Sequence, residues 1–321
     1  MRNYTIRRLL QIIPVFLGIL FILFFIIDKA PGSITSNIMD PNMTPELKAA
    51  LQEKLDPSLP FYTKFINWIA EALKGNFGYS YKHYRPVIDV IGENIGCTFT
   101  IALIALIFSM LVGIPCGIIS ATKQYSAADN ILTVFSLIGL ALPTFFFGLI
   151  LLKIFAADLK WLPTFGLSDP MKANAPFFVK LGDWAYHLIL PSLVLGLAEI
   201  ASFMRYTRSS MLEVIRSDYI RTARAKGLSE KVVIYKHAFR NAMIPIITLL
   251  GFRIPGLISG AVMTETIFSL PGVGKLSVEA AQTRNYPLLL GINAMLTMAT
   301  LFGTLIADLL YAAVDPRIKY D

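Results

Sequence analysis

The chain has 321 residues, of which 55% are hydrophobic and only 16% are charged, and its formal net charge is +8. Soluble globular domains carry about 25% charged residues, so this composition excludes an ordinary soluble enzyme, a secreted domain and a disordered chain. The shortage of charge is concentrated in six apolar stretches, in which only Glu199, Arg253 and Asp308 are charged. These stretches are residues 9–27, 97–121, 131–152, 185–204, 242–263 and 288–311.

Each stretch is long enough to cross roughly 30 Å of hydrocarbon as a helix that rises about 1.5 Å per residue. The sequence therefore predicts an all-α, polytopic membrane protein with six transmembrane helices. A signal peptide is the alternative for the first stretch, because Arg2, Arg7 and Arg8 precede it. That stretch is longer than the apolar core of about 7–15 residues in a signal peptide, so we interpret it as a span.

The distribution of Lys and Arg predicts the orientation of the spans. With a cytoplasmic N-terminus, the segments on the inner side carry 15 of these residues and the two short outer segments carry 6. Both termini are therefore predicted to be cytoplasmic. The positive net charge is explained by this topology. Nucleic acid is therefore a poor candidate as a partner.

The chain divides into three predicted parts. Residues 1–27 hold an N-terminal segment and the first span, residues 28–96 form an extracytoplasmic segment, and residues 97–321 form the core with the remaining spans. Residues 28–96 contain no cluster of metal ligands or nucleophiles, and they are too few for a separate catalytic domain.

Two helices are predicted in the extracytoplasmic segment. A Thr-Pro-Glu sequence, which is typical of a helix N-terminus, predicts a short helix over residues 45–54. Phe61, Phe65 and Trp68 recur at helical spacing in a pattern that Gly75 ends. This second helix either lies along the outer membrane interface or packs against neighbouring spans.

The second span carries two cysteines and a pair of glycines. Cys97 and Cys116 are separated by about 28 Å of helix, too far for a disulfide, so both are predicted to be packing residues and no metal site is expected. Gly113 and Gly117, spaced by four, allow a close helix approach, either within this chain or against another subunit.

The loop at residues 205–241, between the fourth and fifth spans, holds nine of the 29 basic residues. Its apolar and basic side chains follow the pattern of an amphipathic helix, which Gly227 is placed to end, and Ser229 is placed to begin a second helix. The loop is thus predicted to be a helix-turn-helix hairpin on the cytoplasmic side. It either faces lipid headgroups or presents a structured surface to a protein partner.

From Arg208 to Thr248 the sequence resembles, almost residue by residue, the coupling loop of binding-protein-dependent ABC importer permeases. The resemblance is to the dipeptide/oligopeptide permease family, specifically the first of its two membrane subunits. Further matches extend along nearly the whole chain, and they include Arg7-Arg8-Leu9, Gly75-Asn76-Phe77-Gly78, Arg85-Pro86-Val87, Gly113-Ile114-Pro115, Glu265-Thr266-Ile267-Phe268, Pro271-Gly272-Val273-Gly274 and Asp315-Pro316-Arg317.

The resemblance implies a type I ABC importer permease fold and assigns roles to two sets of residues. The set expected to contact an ATPase is Asp218, Tyr219, Arg221, Thr222, Ala223, Arg224, Ala225, Lys226, Gly227 and Leu228. The loop at 264–287 is expected to face the external binding protein, through Glu265, Pro271, Gly272 and Gly274. The generic signature Glu-Ala-Ala-x3-Gly is only partly kept in the hairpin, in what looks like the usual variant of this subfamily.

Glu199 and Arg253 lie inside predicted spans, where ionised side chains are costly and often functional. The family pattern leads us to expect neutral residues at both positions. Two interpretations stay open: the two residues neutralise each other as a pair, or Arg253 lines the translocation pathway and meets a peptide carboxylate.

The chain has no G-x-x-x-x-G-K-[ST] segment, so no cofactor is expected on it, and ATP and Mg are expected on separate subunits. The resemblance implies a bacterial cytoplasmic-membrane complex with a second homologous permease, two ATPases and an external substrate-binding protein. Peptides are the expected substrate, with nickel complexes or oligosaccharides as alternatives. A secondary transporter or channel is the rival class, but no internal repeat supports it.

Overall fold

The computed structural model describes residues 2–30, 59–259 and 261–314, and these residues are almost entirely helical. The helix predicted over residues 45–54 lies outside the described residues. The helices are α1 (Arg2–Lys29), α2 (Phe61–Ala72), α3 (Val87–Thr122), α4 (Ala127–Ala141), α5 (Thr144–Leu151), α6 (Phe177–Ile215), α7 (Asp218–Ala225), α8 (Glu230–Val232), α9 (Phe239–Arg253), α10 (Gly256–Ser259), α11 (Val262–Ile267), α12 (Val273–Gln282) and α13 (Tyr286–Val314). Two π-helical segments, Leu152–Asp158 and Val233–Ala238, and a 3₁₀ turn, Pro170–Lys172, complete the helical structure.

Four uninterrupted helices in the described ranges are long and apolar enough to cross a membrane, and they lie within α1, α3, α6 and α13. The third predicted span, 131–152, is not straight: α4 and the helix Thr144–Asp158 meet at 105°. The bend has a local cause, because Leu142 is extended (ψ 126°) before Pro143, and proline disfavours helical backbone at the residue before it.

The fifth predicted span, 242–263, is also broken. Helix α9 ends at Arg253, and only the short α10 follows after Ile254 and Pro255. Proline lacks an N–H and its ring crowds the carbonyl four residues earlier, which accounts for the break. Counting the bent pair as one span gives five spans in the described residues, so the count of six stays a prediction.

Helix boundaries differ from the edges of the apolar stretches. Helix α3 begins at Val87 rather than at residue 97, and α6 extends beyond 185–204 in both directions. Charged side chains are compatible with these extensions; Asp89, for example, lies in the first turn of α3, where the helix dipole favours a carboxylate. Hydropathy therefore marks the part of each helix that is apolar enough for hydrocarbon, not the whole helix.

Helices α3 and α6 form the centre of the structure and cross at the predicted glycine pair. A Cβ at Gly113 would lie 2.7 Å from the carbonyl oxygen of Ile200, and one at Gly117 would lie 2.6 Å from Cβ of Thr207. No side chain larger than hydrogen fits at either position. The close helix approach is therefore made within this chain.

Helix α2 packs against α1, as one of the two interpretations of its pattern predicted. The rings of Phe61 and Phe65 make edge contacts with Phe21 at centroid distances of 5.2 and 5.4 Å, a favourable aromatic geometry. The Lys64 ammonium lies 3.0 Å from the Asp28 carboxylate. Helix α2 is thus fixed to the end of α1.

A short antiparallel hairpin, β1 (Tyr79–Ser80) and β2 (Arg85–Pro86), joins α2 to α3. It packs on the junction of α12 and α13 through Asn285, whose Nδ2 donates to Ser80 Oγ at 2.8 Å. Lys82 forms an ion pair with Glu279 beside this contact. The same side of the molecule brings α1 against α13, where Ile27, Tyr286 and Leu290 form a small apolar cluster.

Candidate functional site

The loop between α6 and α9 forms the predicted helical hairpin. Helix α7 starts at Asp218, ends at Ala225, and is followed by Gly227 with a φ of +76°. This left-handed conformation is accessible to glycine without a Cβ clash, and it reverses the chain toward α8. Ser229 precedes α8 in an extended conformation, but its side chain makes no capping hydrogen bond.

The inner face of this hairpin belongs to an apolar core at this end of the molecule, which we call the hairpin end. Ile220 and Ala223 are buried in one cluster with side chains from α3, α6 and the segment after α8. The other buried members are Ile118, Ala121, Met211, Val233, Ile234, Ala238 and Ala242. The hairpin is therefore seated on the ends of the long helices and does not project as a free loop.

Nine of the ten residues expected to contact an ATPase are exposed, and the exception is Ala223. Ala223 points into the chain's own core, so its small size serves the seating of the hairpin rather than an intermolecular contact. The exposed residues are Asp218, Tyr219, Arg221, Thr222, Arg224, Ala225, Lys226, Gly227 and Leu228.

A bidentate ion pair spans the turn of the hairpin. Arg224 donates from Nε and Nη2 to the two carboxylate oxygens of Glu230, at 3.2 and 2.7 Å. The hydrogen bonds from Arg224 hold the pKa of Glu230 below its ordinary value, and Glu230 raises the pKa of Arg224 for the same reason. Both side chains stay charged at neutral pH, so the pair restrains the turn without neutralising its surface.

A second bidentate pair at the hairpin end was not predicted. Arg208, on α6, donates from Nε and Nη2 to Oδ1 and Oδ2 of Asp129, at 2.8 and 2.9 Å. Asp129 is buried in the first turn of α4. Its only sequence signal is the preceding Ser126, which accepts a hydrogen bond from the Asp129 N–H as a helix N-cap, and nothing local links it to Arg208.

At the opposite end, Glu265 is only 1% exposed. Its carboxylate is therefore buried and does not form a surface contact. Its Oε1 accepts from the Thr98 hydroxyl at 2.8 Å and from the Ala261 N–H at 3.2 Å, and its Oε2 accepts from the Lys275 N–H at 2.9 Å. Lys275 lies in the first turn of α12, so the carboxylate also compensates the positive end of that helix.

Gly272 and Gly274 give this carboxylate its space. A Cβ at Gly272 would lie 2.6 Å from Oε1 of Glu265 and closer still to its other carboxyl atoms, and a Cβ at Gly274 would lie 2.9 Å from Oε2. Of the four residues expected to face a binding protein, only Pro271 is exposed. Glu265, Gly272 and Gly274 instead fix the shape of the loop from within.

Glu199 and Arg253 lie side by side. Arg253 Nε is 2.8 Å from Glu199 Oε2, and the two side chains are 36% and 25% exposed. The angular geometry is not that of a hydrogen bond, so the contact is a close ion pair. This geometry favours mutual neutralisation over a solitary Arg253. Among the described residues, no three His, Cys, Asp or Glu side chains are grouped to bind a metal.

Residues 113–320 match the family described as binding-protein-dependent transport system inner membrane component. Similar curated proteins cover the whole chain. The oligopeptide transport system permease protein AppB of Bacillus subtilis (strain 168) is 41% identical, with 100% of both chains covered. The dipeptide transport system permease protein DppB of Alkalihalophilus pseudofirmus is 39% identical and the glutathione transport system permease protein GsiC of Escherichia coli (strain K12) is 33% identical, each with 100% coverage.

A chain of the MetNI methionine ABC transporter in an inward-facing conformation has a similar structure, with a TM-score of 0.56 at 13% identity. The match covers 71% of this chain and 97% of that one, and at this identity it concerns the fold alone. The predicted family resemblance and the type I importer permease fold are confirmed. The chain belongs to the family of binding-protein-dependent transport system inner membrane components, and it is a multi-pass membrane subunit of a transport system rather than an enzyme.

Proposed function

We propose that this chain is one of two permease subunits of an ATP-driven importer that takes up dipeptides or oligopeptides delivered by an external binding protein. The observation that carries the proposal is the hairpin at residues 218–230, which is exposed on one face and seated on the long helices by the other. A rigidly seated, exposed hairpin is suited to receive force from a partner. The full-length similarity to oligopeptide and dipeptide permeases supports peptide as the substrate.

ATP hydrolysis is assigned to two separate ATPase subunits, which bind ATP and Mg, because this chain has no P-loop sequence. The exposed face of α7 would lie in a groove of one ATPase. Closure of the ATPase pair then displaces the hairpin and, through its apolar seat, the ends of α3 and α6. In this arrangement the hairpin end is cytoplasmic, as are both termini, in a bacterial cytoplasmic membrane.

The loop at 264–287 would approach the binding protein at the opposite face, with Pro271 as its exposed tip. The buried carboxylate of Glu265 keeps this tip in a fixed shape through its bonds to Thr98 and Lys275. The pairing of Arg253 with Glu199 leaves neither charge free at neutral pH to attract a peptide terminus. Selectivity is therefore assigned mainly to the binding protein.

The proposal is tested by reconstituting the chain with its partner permease, both ATPases and the binding protein in proteoliposomes and measuring uptake of labelled peptides. We expect accumulation that requires ATP and the binding protein. Uptake by this chain without the ATPases would support a secondary transporter instead. Uptake of a nickel complex or an oligosaccharide, with no peptide uptake, would replace the proposed substrate.

Contact with the ATPase is tested by site-directed crosslinking. Leu228→Cys places a thiol on the exposed side of the hairpin, and Lys180→Cys places one at the far end of α6, where the side chain is also exposed. We expect crosslinks to the ATPase from position 228 and none from position 180. Equal crosslinking from both positions, or none from position 228, would contradict the proposed contact.

A further inference from the structure

The pair formed by Asp129 and Arg208 joins three helices at the hairpin end. Asp129 Oδ2 also accepts from the Tyr125 N–H at 2.9 Å, and its Oδ1 accepts from the Ser120 hydroxyl. Ser120 lies near the end of α3, Tyr125 lies in the turn before α4, and Arg208 lies on α6. One buried carboxylate therefore connects the end of α3, the start of α4 and the flank of α6.

This carboxylate is held by charge as well as by geometry. The Asp129 side chain is 3% exposed and that of Arg208 is 27% exposed. Water therefore competes little with Arg208 for the hydrogen bonds of the carboxylate. A bidentate guanidinium–carboxylate contact fixes both distance and orientation, unlike a contact made by a lysine. Movement of Arg208 is thus transferred to Asp129 as a displacement, not absorbed by a swivelling side chain.

Arg208 is also connected to the hairpin through an unbroken helix. Helix α6 continues without a break from Arg208 to Ile215, and α7 begins at Asp218. On the other side of the pair, Asp129 lies in the first turn of α4, which leads through the bend before Pro143 into α5. The pair is therefore the charged connection between the helix that carries the hairpin and the bent helix pair.

Several side chains in the rest of α4 are exposed. Its side chains at Ile131, Val134 and Leu137 are more than half exposed, and farther along it contacts α6 at Gly139, where a Cβ would lie 3.4 Å from Leu197 and Ala201. Van der Waals contacts such as these are not directional, whereas a bidentate ion pair fixes both distance and orientation. The pair of Asp129 and Arg208 fixes the distance and orientation of α4 relative to α6 at the hairpin end.

We propose that Arg208 and Asp129 are positioning residues that transmit displacement of the hairpin to α4 and so couple ATP hydrolysis to movement of the bent helix pair. The inference rests on the proposed function, because it assigns the hairpin to an ATPase. It adds a transmission route that runs through α4, beside the apolar seat of the hairpin.

The test measures peptide imported per ATP hydrolysed in the complete reconstituted importer. Asp129→Asn keeps the side-chain shape and removes the charge, and Glu93→Gln is the matched control, since Glu93 forms an exposed bidentate pair with Arg85 at the other end of α3. We expect Asp129→Asn to lower the ratio on the order of tenfold, with ATP hydrolysis retained, and Glu93→Gln to leave the ratio unchanged. An unchanged ratio in Asp129→Asn would overturn the inference.

A spectroscopic readout separates transmission from simple destabilisation. Spin labels at Leu137→Cys on α4 and Leu228→Cys on the hairpin report the distance between them with and without trapped nucleotide. We expect a constant distance in the parent complex and a nucleotide-dependent one when Arg208→Lys, which keeps the charge but not the fork, is added. A distance that Arg208→Lys leaves constant would refute the transmission route.

These experiments distinguish the proposed importer function from the proposed role of the Asp129–Arg208 pair. A parent complex that shows no ATP-dependent peptide uptake refutes the proposed function. A parent complex with coupled uptake, together with an equally coupled Asp129→Asn complex, refutes only the role of the pair. Failure of Asp129→Asn to assemble leaves the Arg208→Lys distance measurement to decide.

Discussion

Substitution of Gly272 by alanine tests the buried carboxylate of Glu265 in the loop at 264–287. The new Cβ would lie 2.6 Å from Oε1 of Glu265, whereas nonbonded contacts are favourable near about 3.5 Å. The carboxylate, whose other atoms would lie still closer, must therefore move by at least about 1 Å. That movement breaks its hydrogen bonds with Thr98 and Lys275, which are 2.8 and 2.9 Å long.

The expected cost follows from those bonds. A hydrogen bond to a charged group contributes about 1.5–3 kcal/mol, so loss of one or two, with the strain of overpacking, lowers the free energy of unfolding by about 3–5 kcal/mol. We expect a lower Tm for the purified protein in nanodiscs and weaker crosslinking of Pro271→Cys to the binding protein.

A matched control and a double variant make this prediction specific. Gly96→Ala lies on α3 with open space around its Cβ position, so it should leave the Tm unchanged or raise it slightly. Glu265→Ala removes the clash, so the Gly272→Ala and Glu265→Ala effects should be strongly non-additive. A Gly272→Ala protein with the parental Tm would refute the packing described for this loop.

Three further predictions concern the hairpin and the intramembrane pair. Ala223→Leu overpacks the apolar core under the hairpin and should cost about 1–3 kcal/mol of stability and reduce transport. Ala225→Leu, on the exposed side, should keep the parental Tm. Equal Tm values for the two variants would contradict the described packing of the hairpin. Gly227→Ala forces a Cβ into the left-handed region and should cost about 1–2 kcal/mol, seen as reduced transport at unchanged expression, and full transport activity would count against a strained turn. Arg253→Gln leaves Glu199 unpaired and should cost about 1–3 kcal/mol in thermal unfolding, with recovery when Glu199→Gln is added; a changed range of transported peptides would show instead that Arg253 meets substrate.

The features that the sequence predicted well are those with local signals. Gly227 predicts the end of α7. Aromatic residues at helical spacing, such as Phe61 and Phe65, predict helix α2 and its packing face. The breaks in the third and fifth spans have local causes too, at Pro143 and Pro255. Hydropathy conceals them, because a bent or interrupted helix can be as apolar as a straight one.

The features that the sequence could not predict depend on contacts between distant residues. Asp129 and Arg208 are 79 positions apart, and each alone looks like an ordinary charge beside the end of an apolar stretch. Glu265 looks like a surface residue in a polar loop, but the hydroxyl of Thr98, which helps to bury it, is 167 positions away. Long-range pairing decides the role of a charged side chain, and one sequence contains no record of that pairing.

The packing of α1 against α13 has a consequence for biosynthesis. Arg8 Nη2 lies 3.3 Å from Oδ2 of Asp308, and Asn285, just before α13, holds the β-hairpin at Ser80. At about 5–20 residues per second, the ribosome needs roughly 15–60 s to add the approximately 300 residues between Arg8 and Asp308. During that interval α1 and α2 have been made, but α13 does not yet exist. The N-terminal segment therefore reaches its final packing only after the last span is made, which makes that stretch of time the one in which an unassembled subunit is most open to membrane proteases and chaperones.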